Sequence, residues 1–117
     1  MNSRKYSVFI DNLGSCSDRY CPAYGKKFTM EEKFDRAKSV ELLSAVDIVL
    51  TPEFIGEKQR IRENLARTGL KAASIAIDTF ADPVFQKGSF SSPNPMLRAL
   101  AIDRLQRRDD LARSGRL

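Results

Sequence analysis

The sequence predicts an α/β fold built on a parallel sheet, and three observations predict it. Runs of strand type alternate along the chain with stretches whose apolar residues recur at helical spacing. The run at 46–51, Val-Asp-Ile-Val-Leu-Thr, is short and largely apolar, as a strand covered on both faces is. Capping and breaking residues fall between the runs. The resulting order, β-α-β-α-β-α, requires crossover connections and therefore parallel strands.

Residues 5–11, Lys-Tyr-Ser-Val-Phe-Ile-Asp, are rich in β-branched and aromatic side chains and form the first predicted strand. A long polar loop follows to Phe28, with Gly14, Pro22 and Gly25 as breakers. Such long connections tend to be functional or mobile. Thr29-Met-Glu-Glu32 is a capping box, in which the Thr hydroxyl accepts from an N–H and Glu32 reaches back. Met30, Phe34, Ala37 and Val40 then share one helical face, and the helix is expected to end near Leu43 or Ser44. Strand two is predicted at 46–51 and is broken by Pro52. A second helix is predicted at 56–68, with Ile61 and Leu65 inward and Gly69 as its stop. Residues 71–78 read as strand three. Asp82-Pro83 and Ser92-Pro93 read as cap and first-turn pairs. The second pair opens a helix that stripes Leu97, Ala101 and Leu105.

The chain of 117 residues fits one small domain, and 42% hydrophobic against 30% charged residues is an ordinary globular balance. It has no apolar run near the roughly 18–20 residues of a membrane span and no apolar leader after Met1, so a cytoplasmic setting is expected. Cys16 and Cys21 are then expected as reduced loop thiols. The net charge is +5, but most cations are interleaved with acids, as in Glu31-Glu-Lys-Phe-Asp-Arg36, a pattern expected on a solvated helix face. Only the C-terminal arginines exceed their acids, and no aromatic residues interleave with them to stack bases, which argues against a nucleic-acid partner. GxGxxG, GxxxxGK[ST] and GxSxG are absent, and so is histidine. Dinucleotide and NTP binding have no support, and no Ser-His-Asp or Cys-His arrangement can form.

Each predicted strand ends in or just before an acid: Asp11, Glu53 and Asp78. In a parallel sheet these ends share one edge, where ligands of α/β folds bind. Neighbouring strands lie about 4.8 Å apart, so the acids can line one cleft and hold the hydroxyls of a sugar. The plainer reading is that they cap helices or bond loop backbone. Capping explains Glu53 poorly, because it stands several residues before its helix.

Four segments resemble one family. Residues 12–21, Asn-Leu-Gly-Ser-Cys-Ser-Asp-Arg-Tyr-Cys, and 51–54, Thr-Pro-Glu-Phe, resemble loops of sugar phosphate isomerase/epimerase proteins with the xylose-isomerase-like barrel. Residues 63–71, Glu-Asn-Leu-Ala-Arg-Thr-Gly-Leu-Lys, are similar to that family's second helix leading into strand three. Residues 88–95, Gly-Ser-Phe-Ser-Ser-Pro-Asn-Pro, are similar to its strand-three loop. The resemblance runs from about Lys5 to Asp103, and the tail at 107–117 departs from it.

The resemblance implies three β-α units of a parallel (β/α)8 TIM barrel, incomplete, since the full barrel typically takes about 250 residues. It implies a sugar or sugar phosphate substrate and, in the complete enzyme, Mn²⁺ or Mg²⁺ held by acids and a histidine on later strands. No metal ligand, no cofactor and no catalytic residue carries over to this chain. The substrate-side surface does, as Asn12, Glu53 and Asp78. Phe9 or its neighbours, Ile48, Leu50 and Ile75 are expected on the inward barrel face. Alone, the chain is expected to be inactive and to self-associate or pair with a complementary fragment through free strand edges. Two alternatives stay open: a fragment of an abasic-site endonuclease of the same fold, and a non-catalytic binding or assembly module.

Overall fold

A computed structural model describes residues 4–14, 20–21 and 24–113, side chains excepted at 109, 110, 112 and 113. The fold is α/β. β1 (Tyr6–Phe9), β2 (Leu43–Leu50) and β3 (Lys71–Ile77) form a parallel sheet in the order β1-β2-β3. Among the described residues three α-helices accompany it: α1 (Met30–Ser39), α2 (Lys58–Thr68) and α3 (Pro95–Arg113). Cys16 lies outside the described residues, and Cys21 is half-buried. Among the described residues no helix is long and apolar enough to cross a membrane.

Local chemistry sets the helix ends. The Thr29 hydroxyl accepts from the Glu32 N–H at 3.1 Å, as the capping box requires. Glu32 does not return the bond to backbone; its carboxylate accepts the Thr29 hydroxyl at 3.4 Å. α2 stops at Gly69, whose φ of 72° is the left-handed conformation glycine adopts at least cost.

Three boundaries differ from the sequence reading. α1 ends at Ser39 and β2 begins at Leu43, because Leu43 pairs with Tyr6 and Ala45 with Lys71. Sheet pairing with distant strands overrides a helical periodicity that runs on through Val40, which is exposed. β1 is shorter than expected, since Asp11 belongs to a 3-10 turn at Ile10–Leu13. α3 begins at Pro95 instead of Pro93. The Asn94 side chain accepts from the Met96 N–H at 2.9 Å, and a residue that precedes proline is kept out of the helical region. Ala101 is fully buried on the expected stripe of α3, Leu97 is half-buried and Leu105 is exposed.

The core lies between the sheet and the α1/α2 layer. Met30, Phe34 and Ala37 of α1 and Ile61 and Leu65 of α2 cluster with Val46, Ile48 and Leu50 of β2. Ile75 packs against the same cluster. The expected inward placement of Ile48, Leu50 and Ile75 is therefore corrected: these side chains face the helices. Alternation along the strands puts Ser7, Phe9, Ala45, Asp47 and Ser74 on the other face. There Asp47 accepts from the Ser7 hydroxyl at 2.8 Å and the Ser74 hydroxyl at 2.6 Å.

Ion pairs tie α1 to α2. Arg60 grips Glu31 with both Nε and Nη2, and Arg67 reaches Asp35. The Glu31–Arg36 charge run is thus an inter-helix contact as well as a solvated face.

Phe34 is fully buried whereas Val40 is 45% exposed, and the pair tests this packing. Phe34→Ala is expected to cost about 3–5 kcal/mol of unfolding free energy in urea titrations. Val40→Ala should cost below about 0.5 kcal/mol. Equal losses would place the α1 face wrongly.

Candidate functional site

The three acids predicted from the strand ends all lie at the C-terminal edge of the sheet, each on the segment that leaves its strand. Asp11 follows β1 in the 3-10 turn whose Ile10 is fully buried. Glu53 stands in the turn after β2, pinned because Phe54 is fully buried. The Phe54 and Ile55 N–H groups both bond the Thr51 carbonyl at 2.9 Å, which fixes the turn. Asp78 comes directly after β3 and is fully buried. Asn12 is exposed on the same turn as Asp11.

A residue that the sequence reading assigned to a solvated face organises this edge. Lys33 of α1 places Nζ 2.8 Å from Glu53 Oε2 and 3.2 Å from Asp11 Oδ1. Its side chain is only 7% exposed. The ammonium also lies 5.6 Å from the centre of the Phe54 ring. A Cβ at Gly14 would stand 2.8 Å from Lys33 Cε, so a larger residue there would push against the end of the lysine stem. No sequence signal isolates Lys33, because a lysine between glutamates at helical spacing looks like any surface pair. The one available hint is position: Lys33 follows Met30 by three residues and precedes Ala37 by four, on the core-facing side of α1.

Asp78 is held differently. Its Oδ1 accepts from the Phe80 N–H at 3.0 Å and the Ala81 N–H at 2.7 Å. This is the backbone-bonding role that short polar residues play in loops. Its Oδ2 is buried and, among the described residues, has no hydrogen-bond partner. Arg104 of α3 donates to the Asp78 carbonyl at 3.2 Å and pairs with Asp82 at 2.5 Å. Asp82 also accepts from the Val84 N–H at 3.0 Å, so the expected Asp82-Pro83 cap is present.

The electrostatics follow from this geometry. Burial raises the pKa of Asp11; the charge and hydrogen bond of Lys33 oppose the rise, and the charges of Glu53 and Asp78 add to it. Burial works against the Lys33 ammonium, but the Glu53 hydrogen bond and the charges of both acids outweigh it and the pKa is raised. The Lys33 contribution to stability is therefore intact below the ordinary lysine range and lost as pH rises through its folded value. Between α1 and α2, the Arg60 hydrogen bond holds Glu31 down to about 2.

The edge can accept hydrogen bonds from hydroxyls, and it is poorly suited to a cation. Asp11 and Glu53 already share an ammonium, and Asp78 Oδ1 is taken by backbone N–H groups. Among the described residues no group of three or more His, Cys, Asp or Glu could hold a metal ion.

Comparison with known proteins points in one direction. Over 44 residues, 38% of this chain, the sequence is 41% identical to a xylose isomerase of Thermus thermophilus. The likeness is xylose-isomerase-like. It is partial, since the matched segment covers 11% of the length of that protein. No family model matches the chain.

Two outcomes test the electrostatic arrangement. Lys33→Met strands Asp11 and Glu53 beside each other. It should cost on the order of 2 kcal/mol, below the roughly 3–5 kcal/mol of a fully enclosed pair because both acids keep some solvent. In a carboxyl-carbon NMR titration the Asp11 pKa should rise further in this variant, and an unchanged Asp11 would contradict the bridge. The second outcome concerns acid. Folded Glu31 binds fewer protons than the unfolded chain between its ordinary 4.5 and about 2, so its stabilisation is present above that window and fades as pH falls through it. Glu31→Gln should flatten the acid limb of stability against pH across that window. The change should be small, because the side chains of Arg60 and Glu31 are 37% and 43% exposed.

Proposed function

We propose that the chain forms the first three β-α units of a xylose-isomerase-like (β/α)8 barrel and supplies substrate-side loops to a metal-dependent sugar or sugar phosphate isomerase or epimerase. The observation that carries this reading is the set of acids on successive ends of a parallel sheet, with Asp78 Oδ2 buried and lacking a donor. A sugar hydroxyl supplies such a donor. The xylose-isomerase-like segment supports the same substrate class.

In this reading each residue binds and orients. Asn12, exposed beside Asp11, both donates and accepts through its amide. Glu53 has one oxygen fixed by Lys33 and turns the other toward a sugar hydroxyl. Asp78 Oδ2 accepts a second hydroxyl. The divalent metal of the complete enzyme, Mn²⁺ or Mg²⁺, would polarise the carbonyl and hydroxyl of the sugar. The residues of this chain do not fit that metal, because Lys33 already neutralises two of the acids. The metal ligands belong to the rest of the barrel, and the chain alone is inactive.

A second reading, a non-catalytic assembly module, is favoured by the open sheet. Among the described residues β1 and β3 each have a strand neighbour on one side only, and such edges accept a complementary strand. The two readings are compatible if the complement is the remainder of the barrel.

Titration of the isotopically labelled chain with D-xylose separates them. Sugar-binding loops should give saturable millimolar shifts centred on Asn12, Glu53 and Asp78. Asp78→Asn should weaken binding about tenfold, the worth of one hydrogen bond to a charged acceptor. Shifts elsewhere, or none, would leave the assembly reading. In parallel, stoichiometric sub-micromolar Mn²⁺ binding in calorimetry would refute the assignment of the metal ligands to other strands.

A further inference from the structure

The N-terminal ends of the three strands form the edge of the sheet away from the acids, and a turn projects from it. The Leu43 N–H bonds the Val40 carbonyl at 3.0 Å, which closes a turn with Glu41 and Leu42 at its centre. Turn centres ordinarily carry glycine, proline or short polar residues. Here Leu42 stands out at the apex, 73% exposed, and Val40 and Tyr6 are each 45% exposed. Tyr6 pairs with Leu43 across the sheet, so the three apolar side chains belong to one tip.

Cations surround this tip. Lys5 directly precedes Tyr6, and Lys71 opens β3, where it pairs with Ala45. Lys38 lies in the last turn of α1, with Nζ 3.9 Å from where a Cβ at Gly69 would stand. All three lysines are exposed, and among the described residues none of them makes an ion pair. Lys38 also complements the negative end of the α1 dipole, a task that Lys5 and Lys71, at strand ends, do not have. Glu41 is the acid of the turn, and Asp35, the next acid back along the chain, is taken by Arg67. The tip therefore combines an apolar apex with an excess of positive charge.

We propose that this tip docks on an anionic lipid surface, with Leu42, Val40 and Tyr6 entering the headgroup layer and Lys5, Lys38 and Lys71 meeting its phosphates and carboxylates. Shape and charge both favour lipid over a peptide. A peptide needs a groove for its side chains, whereas headgroups yield around a protruding leucine. An apolar apex within a ring of ammonium groups matches the two layers of such a surface, hydrocarbon beneath and anionic groups above. Contact at this depth needs no spanning helix. The proposal is independent of the sugar-binding reading, since Asn12, Glu53 and Asp78 lie at the opposite edge of the sheet and stay turned away from the lipid.

Phosphatidylcholine vesicles doped with phosphatidylserine to about 30% serve as the probe, against vesicles of phosphatidylcholine alone. Binding of the full chain is followed by co-sedimentation and by broadening of its amide signals. The anionic vesicles should bind at least about tenfold tighter than the neutral ones at low salt, and the difference should shrink as salt rises. Broadening should centre on residues 5–6, 38–43 and 71. Leu42→Asn, which suits a turn centre, should weaken binding about tenfold, the worth of one buried leucine. Lys5→Gln combined with Lys71→Gln should weaken it by a similar factor. The charge-matched pair Lys27→Gln and Lys87→Gln, exposed lysines of the loops at the other edge, should leave it near the parent value. All five positions are exposed, so the exchanges leave the core intact, and the same spectra report whether each variant is folded. Equal binding to both vesicle types, equal losses in the two double variants, indifference to Leu42→Asn, or no binding of the anionic vesicles would each overturn the proposal. Polyglutamate bound at the same residues in place of the vesicles would assign the tip to an acidic peptide, and a Leu42-dependent dimer in sedimentation would assign it to a second copy; either result overturns the proposal.

Discussion

The fold turns on one buried ammonium. Asp11 and Glu53 leave adjacent parallel strands, and two carboxylates at that separation repel each other and resist burial. Lys33 resolves the conflict by entering from α1 and bonding both. Three separate pieces of chain then have to agree: the turn after β1, the first helix, and the turn after β2. Gly14 lies against the end of the lysine stem, and the Phe54 ring lies under its ammonium.

The loops at this edge share a construction. Each is pinned by a fully buried hydrophobic residue close to its acid: Ile10 beside Asp11, Phe54 beside Glu53, and Phe85 three residues after Asp82. The apolar residue is drawn into the core, and the chain direction then leaves its polar neighbour at the rim. Arg104 does for the third loop what Lys33 does for the first two, since it bonds both the Asp78 carbonyl and Asp82 and stacks on Phe85 at 4.9 Å. Rigid backbone beneath and charged groups above is an arrangement suited to holding a polar ligand at fixed angles.

What was legible in the sequence was local. The Thr29 cap, the Gly69 stop, the Met30-Phe34-Ala37 face and the strand order follow from neighbours a few residues apart, and they are present. The acids were legible too, as positions at the sheet edge. Their partners were not, because Lys33 is separated from Glu53 by 20 residues and sits in a run that looks solvated. The strand faces failed for a related reason. Ile48 and Leu50 are apolar on any reading, and only the placement of α1 and α2 decides which side of the sheet they cover. The beginning of β2 was obscured because its first residues prolong a helical period until β1 and β3 claim them. The sugar-related resemblance meets a parallel α/β sheet and a partial xylose-isomerase-like segment.

Asp47 has a consequence for folding as well as for the surface it occupies. A strand that slides by one residue exchanges its two faces. In β2 that slip would drive the Asp47 carboxylate in among Phe34 and Ile61, and it would turn Ile48 out to water. Burying an unpaired carboxylate is costly enough that such a misaligned sheet cannot compete. The hydroxyls of Ser7 and Ser74 reward the correct alignment from both sides, so a single charged residue at the centre of the sheet acts as a proofreader of its own strand and of both neighbours.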